Sequence, residues 1–214
     1  ENYHRICKIL DVDPSNLVFT DQVHDTKVQE VSRKHCAGTN LEQKKLIGVD
    51  GLITNEPNLV LTTSFADCVP FFFVDVRNKA IGLSHSGWRG TVGKIGKITV
   101  ESMKQSFGTQ PKDLISVIGP SICQACYEVD EDVAREFRKA FTEEITGEIL
   151  EDKKNGKYQL DLWKANKYIL MEAGIPEANI SISGICTCCN SDLLFSHRAS
   201  NGLRGNLNAF LSLK

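Results

Sequence analysis

The stretch SFADCVPFFFVDVRNKAIGLSHSGWRGT, Ser64 to Thr91, decides how this chain is read. Val69 to Val76 is too apolar and too short for an amphipathic surface helix, and suits a strand buried on both faces. Ala80 to Leu83 suits a second strand that ends at Ser84-His85. Arg77-Asn78-Lys79 is a tight polar break, so the two strands can form a hairpin. Cys68 and His85 then stand at element ends, where side chains emerge from a rigid scaffold. A Cys and a His 17 positions apart also fit a buried thiol and a satisfied core histidine. Asp67 beside Cys68 sets a charge against an apolar run. Gly87, Arg89 and Gly90 follow His85, and a helix-like pattern begins near Thr91. A helix N-terminus beside an arginine is a ready site for phosphate or carboxylate.

The chain has 214 residues, enough for one large domain or two small ones. A net charge of -2 makes no general case for nucleic acid or an anionic membrane. No apolar run approaches the length of a membrane span. The first residues, ENYHRICKIL, lack the apolar core of a signal peptide. The chain does not begin with Met, and the reading is of one domain over residues 1–214 that lacks upstream chain. Its eight cysteines lack the density of a disulfide scaffold, which favours reduced thiols and a cytoplasmic setting.

Outside the central stretch the pattern alternates between strands and helices, an α/β chain. Helices are expected near Glu1 to Leu10, from Thr91 to Phe107 with Gly108 as C-cap, over Glu131 to Phe141, and from Leu162 to Ala173 capped by Asp161. Strands are expected at Asn16–Val23, Lys27–Val31, Asp50–Thr54, Leu59–Ser64, Leu114–Ile118, Tyr158–Leu160, Ile180–Ile185 and Asn208–Leu213. Ser32 to Lys45 reads as a loop with some helix; for the adjacent His35 and Cys36 a metal role stands beside the reading as solvated side chains, which irregular backbone favours. Glu143 to Lys157 reads as a polar loop.

FADCVPFFFVD and IGLSHSGWRGT closely resemble the signature of the laccase-domain family, roughly T-A-D-C-x-P followed by A-H-A-G-W-R-G. Its bacterial members are the YfiH/YlmD-type proteins, called multicopper polyphenol oxidases and later purine nucleoside phosphorylases. Further matches are Gln22-Val23-His24, where Asp25 replaces the family's glycine, and Asp50-Gly51-Leu52-Ile53-Thr54. Others are Cys126-Tyr127-Glu128-Val129, Leu160-Asp161-Leu162 with Ala165-Asn166, Gly184 to Cys189, and Asp192 to Arg198, where His197 replaces a tyrosine. The resemblance implies two mixed β-sheets packed face to face with helices outside, a four-layer α/β/β/α fold like that of a deamidating bacterial (CNF) toxin.

It also implies a metal site of His24, Cys68 and His85. One thiolate and two imidazoles suit zinc with a fourth position left for water or substrate; they also suit copper, with zinc the expected occupant in the cytosol. Cys68, His85 and Asp67 are the candidate catalytic residues; for Asp67 a structural hydrogen bond competes with proton donation. Arg89, Arg198, Gln22 and Cys126 are the candidate substrate-binding residues. Cys123-x-x-Cys126 and Cys186-x-x-Cys189 together spell a rival, four-cysteine structural zinc site. Cys123 is not part of the family pattern, which weighs against it.

Five histidines with no H-x-H pair give poor support to multicopper oxidase chemistry. The activities the resemblance implies are phosphorolysis of adenosine, inosine, guanosine and methylthioadenosine, with phosphate as co-substrate, and deamination of adenosine. Partners are then small molecules, with metabolic enzymes as protein partners. Two other readings stand beside this one. A Cys68–His85 hydrolase could cleave an amide or ureido group, as in citrulline to ornithine and isocyanate. A metabolic scaffold with a vestigial site is the other, and the intact His-Cys-His set and both arginines argue against it.

Overall fold

The computed structural model describes residues 1–38 and 45–214, with the side chain of Lys45 left out. In chain order the strands are β1 (Leu17–Asp21), β2 (Val28–Glu30), β3 (Lys45–Ile47), β4 (Gly51–Thr54), β5 (Val60–Phe65), β6 (Val69–Asp75), β7 (Ala80–Ser86), β8 (Leu114–Ile118), β9 (Glu128–Asp130), β10 (Leu150–Asp152), β11 (Lys157–Leu160), β12 (Ile180–Ile182) and β13 (Leu207–Ser212). The helices are α1 (Asn2–Leu10), α2 (Trp88–Val92), α3 (Ile95–Phe107), α4 (Glu131–Ala140), α5 (Glu143–Ile149) and α6 (Leu162–Glu172).

Two mixed sheets carry the fold. One runs β13-β5-β1-β3 and the other β12-β8-β6-β7-β4-β2. The β6–β7 hairpin lies at the centre of the larger sheet, with Pro70 opposite His85 and Phe71 opposite Ser84. The period-2 alternation of side chains sorts the core into three interfaces. Leu17, Phe19 and Val60 pack with Cys7 of α1 outside the smaller sheet. Val18, Leu61, Leu52, Ile81 and Leu83 pack between the sheets. Phe71, Phe73 and Ile53 pack against Ile95, Val100, Met103 and Leu170 of α3 and α6. This is the expected four-layer α/β/β/α order. No described helix is long and apolar enough to cross a membrane.

Three expectations change. The helix after His85 is two helices, broken where Lys94 takes the left-handed conformation at φ 59°. The segment read as a polar loop from Glu143 forms α5 and β10. Thr142 Oγ1 accepts from the Ile145 N–H at 3.4 Å, and Ile149 is buried. A cap, two acidic residues in the first turn and one apolar stripe suffice for a short helix that the overall polarity hides. β10 and β11 then join β9 in a small antiparallel sheet, a third one. Of the Ser32–Lys45 stretch, residues 39–44 lie outside the described residues; His35 closes a capping box with Ser32.

Gly96 lets α3 approach the sheet. A Cβ there would lie 3.2 Å from Leu170 Cδ2 and 3.4 Å from Phe71 Cε2. Phe71 is fully buried between β6 and these helices, 5.7 Å from the ring of Phe73. Phe71→Ala is expected to lower the unfolding free energy by about 3–5 kcal/mol. Urea denaturation checks this, with a lower midpoint and an unchanged slope as the expected pattern.

Candidate active site

His24, Cys68 and His85 come from three places and meet at one end of the larger sheet. His24 lies on the crossover from β1 to β2, and Cys68 on the crossover from β5 to β6; each carries the chain from one sheet to the other. His85 lies inside β7, which is longer than Ala80–Leu83. The side-chain donor atoms of the three lie within 4.8 Å of one another. The His24 and His85 rings are 4.9 Å apart, edge to face at 78°. They open on a cavity of about 510 Å³ whose wall includes Asp67, Arg89, Tyr127, Arg198 and Arg204.

Gln22 ties the two crossovers together. Its Nε2 donates to the Ser64 carbonyl and its Oε1 accepts from the Ser64 N–H, both at 2.8 Å. A carboxamide here continues the β1–β5 ladder where the backbones part. Gln22 lines the cavity, but its polar atoms are committed to Ser64, so its contribution is to hold the His24 and Cys68 segments in step.

The residue that organises the site is Asp50, which the sequence reading places at the start of a strand and gives no role in the site. It is fully buried just ahead of β4. Its carboxylate accepts from the N–H groups of Val23, His24 and Asp25, each at 3.1 Å, and pairs with His85 Nδ1 at 2.9 Å. Its carbonyl accepts from the His85 N–H at 2.7 Å. One side chain therefore fixes the backbone that carries His24 and the ring of His85. Its hold on Nδ1 leaves Nε2 for the thiol or a metal. His24 itself sits at φ 62°, a conformation that needs such support in a residue other than glycine.

Asp67 is the second positive-φ residue of the site, at φ 78°. One carboxylate oxygen accepts from Thr187 Oγ1 at 2.6 Å and the other from the Arg198 N–H at 2.7 Å. Arg198 in turn donates to the carbonyls of Cys126 and Glu128, at 3.3 and 2.9 Å, and lies 5.4 Å from the Tyr127 ring. Arg89 lies over the ring of Trp88 at 4.3 Å. Arg204, Tyr127 and Asn206 complete the wall. The sequence reading assigns no role to any of these three; Arg204 and Asn206 lie in an irregular segment with no periodic signal.

Cys126 does not line this cavity. Its sulfur lies 3.4 Å from Cys189, and Cys123 is 3.9 Å from the same atom. The donor atoms of Cys123, Cys126, Cys186 and Cys189 all lie within 4.8 Å of one another. The C-x-x-C pairing discounted from sequence is thus a real cluster, and Cys126 belongs to it rather than to the substrate wall.

Electrostatics bind the catalytic candidates into one unit. Burial alone would raise the Cys68 thiol, but hydrogen bonds and charge from both imidazoles bring it down to about 6. Burial alone would favour neutral His85, but Asp50 and Cys68 raise it to about 9. Between these values the metal-free site holds a thiolate beside an imidazolium. A metal ion would displace the imidazolium proton and take both lone pairs. Burial first, and then the Cys68 charge, push the Tyr127 phenol far up, so it remains an O–H donor.

Gly87 leaves room for the donor set. A Cβ at Gly87 would lie 2.9 Å from His24 Cδ2 and 3.2 Å from Cys68 Sγ. Behind it, Ser86, Thr91 and Asn166 form a buried network with contacts of 3.0 and 3.1 Å, which locks α2 and α6 to the end of β7.

The model of the family described as multi-copper polyphenol oxidoreductase laccase matches residues 1–214. The chain is 38% identical over 216 residues to purine nucleoside phosphorylase YlmD of Bacillus subtilis (strain 168), covering 100% of this chain and 77% of that protein. It is 37% identical over 190 residues to a protein named adenosine deaminase RL5 from an unknown prokaryotic organism, covering 88% and 72%. The structure of YfiH from Bacillus licheniformis superposes with a TM-score of 0.94 at 35% identity, covering 100% of this chain and 80% of that one. YlmD from Geobacillus stearothermophilus superposes with a TM-score of 0.93 at 34% identity, covering 100% and 79%.

In metal-free protein, the rate of Cys68 alkylation by iodoacetamide, read by peptide mass spectrometry, should rise through a midpoint near pH 6. The thiolate that reacts forms above the depressed value and is lost below it. Asp50→Asn should move that midpoint up, towards the roughly 8.5 of a free cysteine. A wild-type midpoint already in that range would remove the thiolate–imidazolium pair. Gly87→Ala should weaken metal binding at the His24, Cys68 and His85 donors by roughly tenfold or more, read by competition with a chelator.

Proposed function

Because the chain belongs to the multi-copper polyphenol oxidoreductase laccase family, we propose that it is a zinc-dependent purine nucleoside phosphorylase. Its substrates are adenosine, inosine, guanosine and methylthioadenosine, and it also deaminates adenosine. The names of its relatives support the reaction class. The observation that carries the reading is a two-histidine, one-thiolate donor set at a cavity walled by arginines.

His24, Cys68 and His85 fit a single zinc ion: the thiol is already inclined to ionise, and His85 presents Nε2 because Asp50 holds Nδ1. Bound there, zinc would supply a Lewis-acid centre with one coordination position open. The remaining work falls to the chain. Arg89, Arg198 and Arg204 gather phosphate at the cavity wall. Arg198 spends donors on two backbone carbonyls, which fixes its guanidinium plane and leaves further N–H groups for the anion. A phosphate oxygen then bonds to the ribose C1′ as the C1′–N9 bond breaks, and the electron pair leaves with the purine. Positioning and charge stabilisation supply the rate. Tyr127 offers a neutral O–H to the base. Asp67, with both oxygens already accepting hydrogen bonds, positions Arg198 rather than donating a proton.

The test is inosine with phosphate and zinc-loaded protein, followed by detection of hypoxanthine and ribose-1-phosphate. Hypoxanthine should form only with phosphate. Cys68→Ala should cut its rate by on the order of 100-fold or more, with the circular dichroism spectrum unchanged. Absence of hypoxanthine from folded, zinc-loaded protein would overturn the reading.

A further inference from the structure

Cys123, Cys126, Cys186 and Cys189 lie on two segments, one ahead of β9, where Gln124–Cys126 form a single 3-10 turn, and one after β12. The segments meet through an isolated parallel bridge between Ser121 and Cys186, with Ser121 N donating to the Ile185 carbonyl at 3.1 Å. We propose that these four cysteines hold a zinc ion in a tetrahedral four-thiolate site, separate from the His24, Cys68 and His85 set, and that this ion clamps the wall of the cavity.

Three observations carry the assignment. The first is distance. Zinc–thiolate bonds of about 2.3 Å place the sulfurs of a tetrahedron about 3.8 Å apart. The measured separations of 3.4 and 3.9 Å bracket that value, and all four donors lie within 4.8 Å of one another. The second is that each segment presents two cysteines at C-x-x-C spacing, so each contributes one edge of the tetrahedron. The third is backbone support. Cys186 Sγ accepts from the Cys123 N–H and the Cys189 N–H, both at 3.3 Å. Paired N–H donors aimed at a sulfur from both segments stabilise the charge that a metal-bound thiolate carries. Soft thiolates with no open position describe a structural site, not a catalytic one. On binding, the thiol protons leave to solvent, and Zn²⁺ with four thiolates carries two negative charges. No electron is transferred.

The clamp reaches the cavity within one residue on either side. The Cys126 carbonyl accepts from Arg198, and Tyr127 lines the cavity. Thr187, next to Cys186, donates to Asp67, which precedes Cys68. The ion would thus fix Arg198 and Tyr127 against the metal-binding side of the site without touching substrate.

Metal analysis of the full chain separates the two sites. His24→Ala with His85→Ala disables the cavity set and should leave about one zinc per chain. Adding Cys123→Ser and Cys189→Ser should remove it. Cobalt replacing that zinc should show the intense visible bands and near-ultraviolet sulfur charge transfer of a tetrahedral four-thiolate ion. If the cavity variant is unstable, Cys189→Ser in the otherwise native chain serves: it should lose about one of two zinc equivalents together with the four-thiolate cobalt spectrum. A folded cavity variant without zinc and with only the weak bands of octahedral cobalt would overturn the proposal. So would a Cys126–Cys189 disulfide in freshly isolated protein. Either result leaves the phosphorylase reading standing, since the two sites share no ligand.

Discussion

A buried carboxylate, Asp50, holds the site together. It has no solvent exposure and satisfies its charge with three backbone N–H groups and one imidazole. Burying a carboxylate without such partners would cost several kcal/mol. The partners are therefore obligatory, and they come from separate parts of the chain. Three belong to the crossover that carries His24 and one to β7, which carries His85. Satisfying one charge brings two metal-ligand candidates to a common point and sets which ring nitrogen of His85 faces Cys68. The fold-level requirement and the chemical requirement are the same hydrogen bonds.

The two-sheet architecture supplies the space. His24 and Cys68 both lie where the chain leaves the smaller sheet for the larger one. Strands that paired in one sheet must part there, and backbone groups that have left the ladder need new partners. Gln22 provides them for Ser64, Asp50 for residues 23–25, and Asp67 for Arg198. His24 and Asp67, on the two crossovers, both take positive φ. A cavity at this seam has a rigid floor of sheet ends and a wall of irregular segments.

Much of this was legible from sequence, for physical reasons that differ by element. The hairpin of Val69–Val76 and Ala80–Leu83 was legible because a strand buried on both faces leaves a continuous apolar run. The capped helix after Asp161 was legible because capping is local chemistry. The donor set His24, Cys68 and His85 was named only through resemblance, since spacing along a chain does not encode proximity across sheets. Asp50 was invisible as a site residue: it reads as the first residue of a strand, and nothing local reveals four partners from elsewhere. Arg204 and Tyr127 escaped notice for the same reason. α5 was missed because a polar composition hid a single apolar stripe.

The cysteines show the opposite failure. Local spacing, C-x-x-C twice, pointed to a cluster that the structure assembles, while the resemblance argued it down because Cys123 falls outside the shared pattern. Three of the four thiols match that pattern, and those three lie on both segments that carry the cavity wall. Cys123 brings the cluster to four donors within 4.8 Å of one another, at a point where its backbone N–H donates to Cys186 Sγ. On this view the fourth thiol adds stability to a junction that three thiols and the Ser121–Cys186 bridge already form. The same junction borders Arg198 and Tyr127 in the cavity wall, so a departure from a family pattern can mark reinforcement rather than loss.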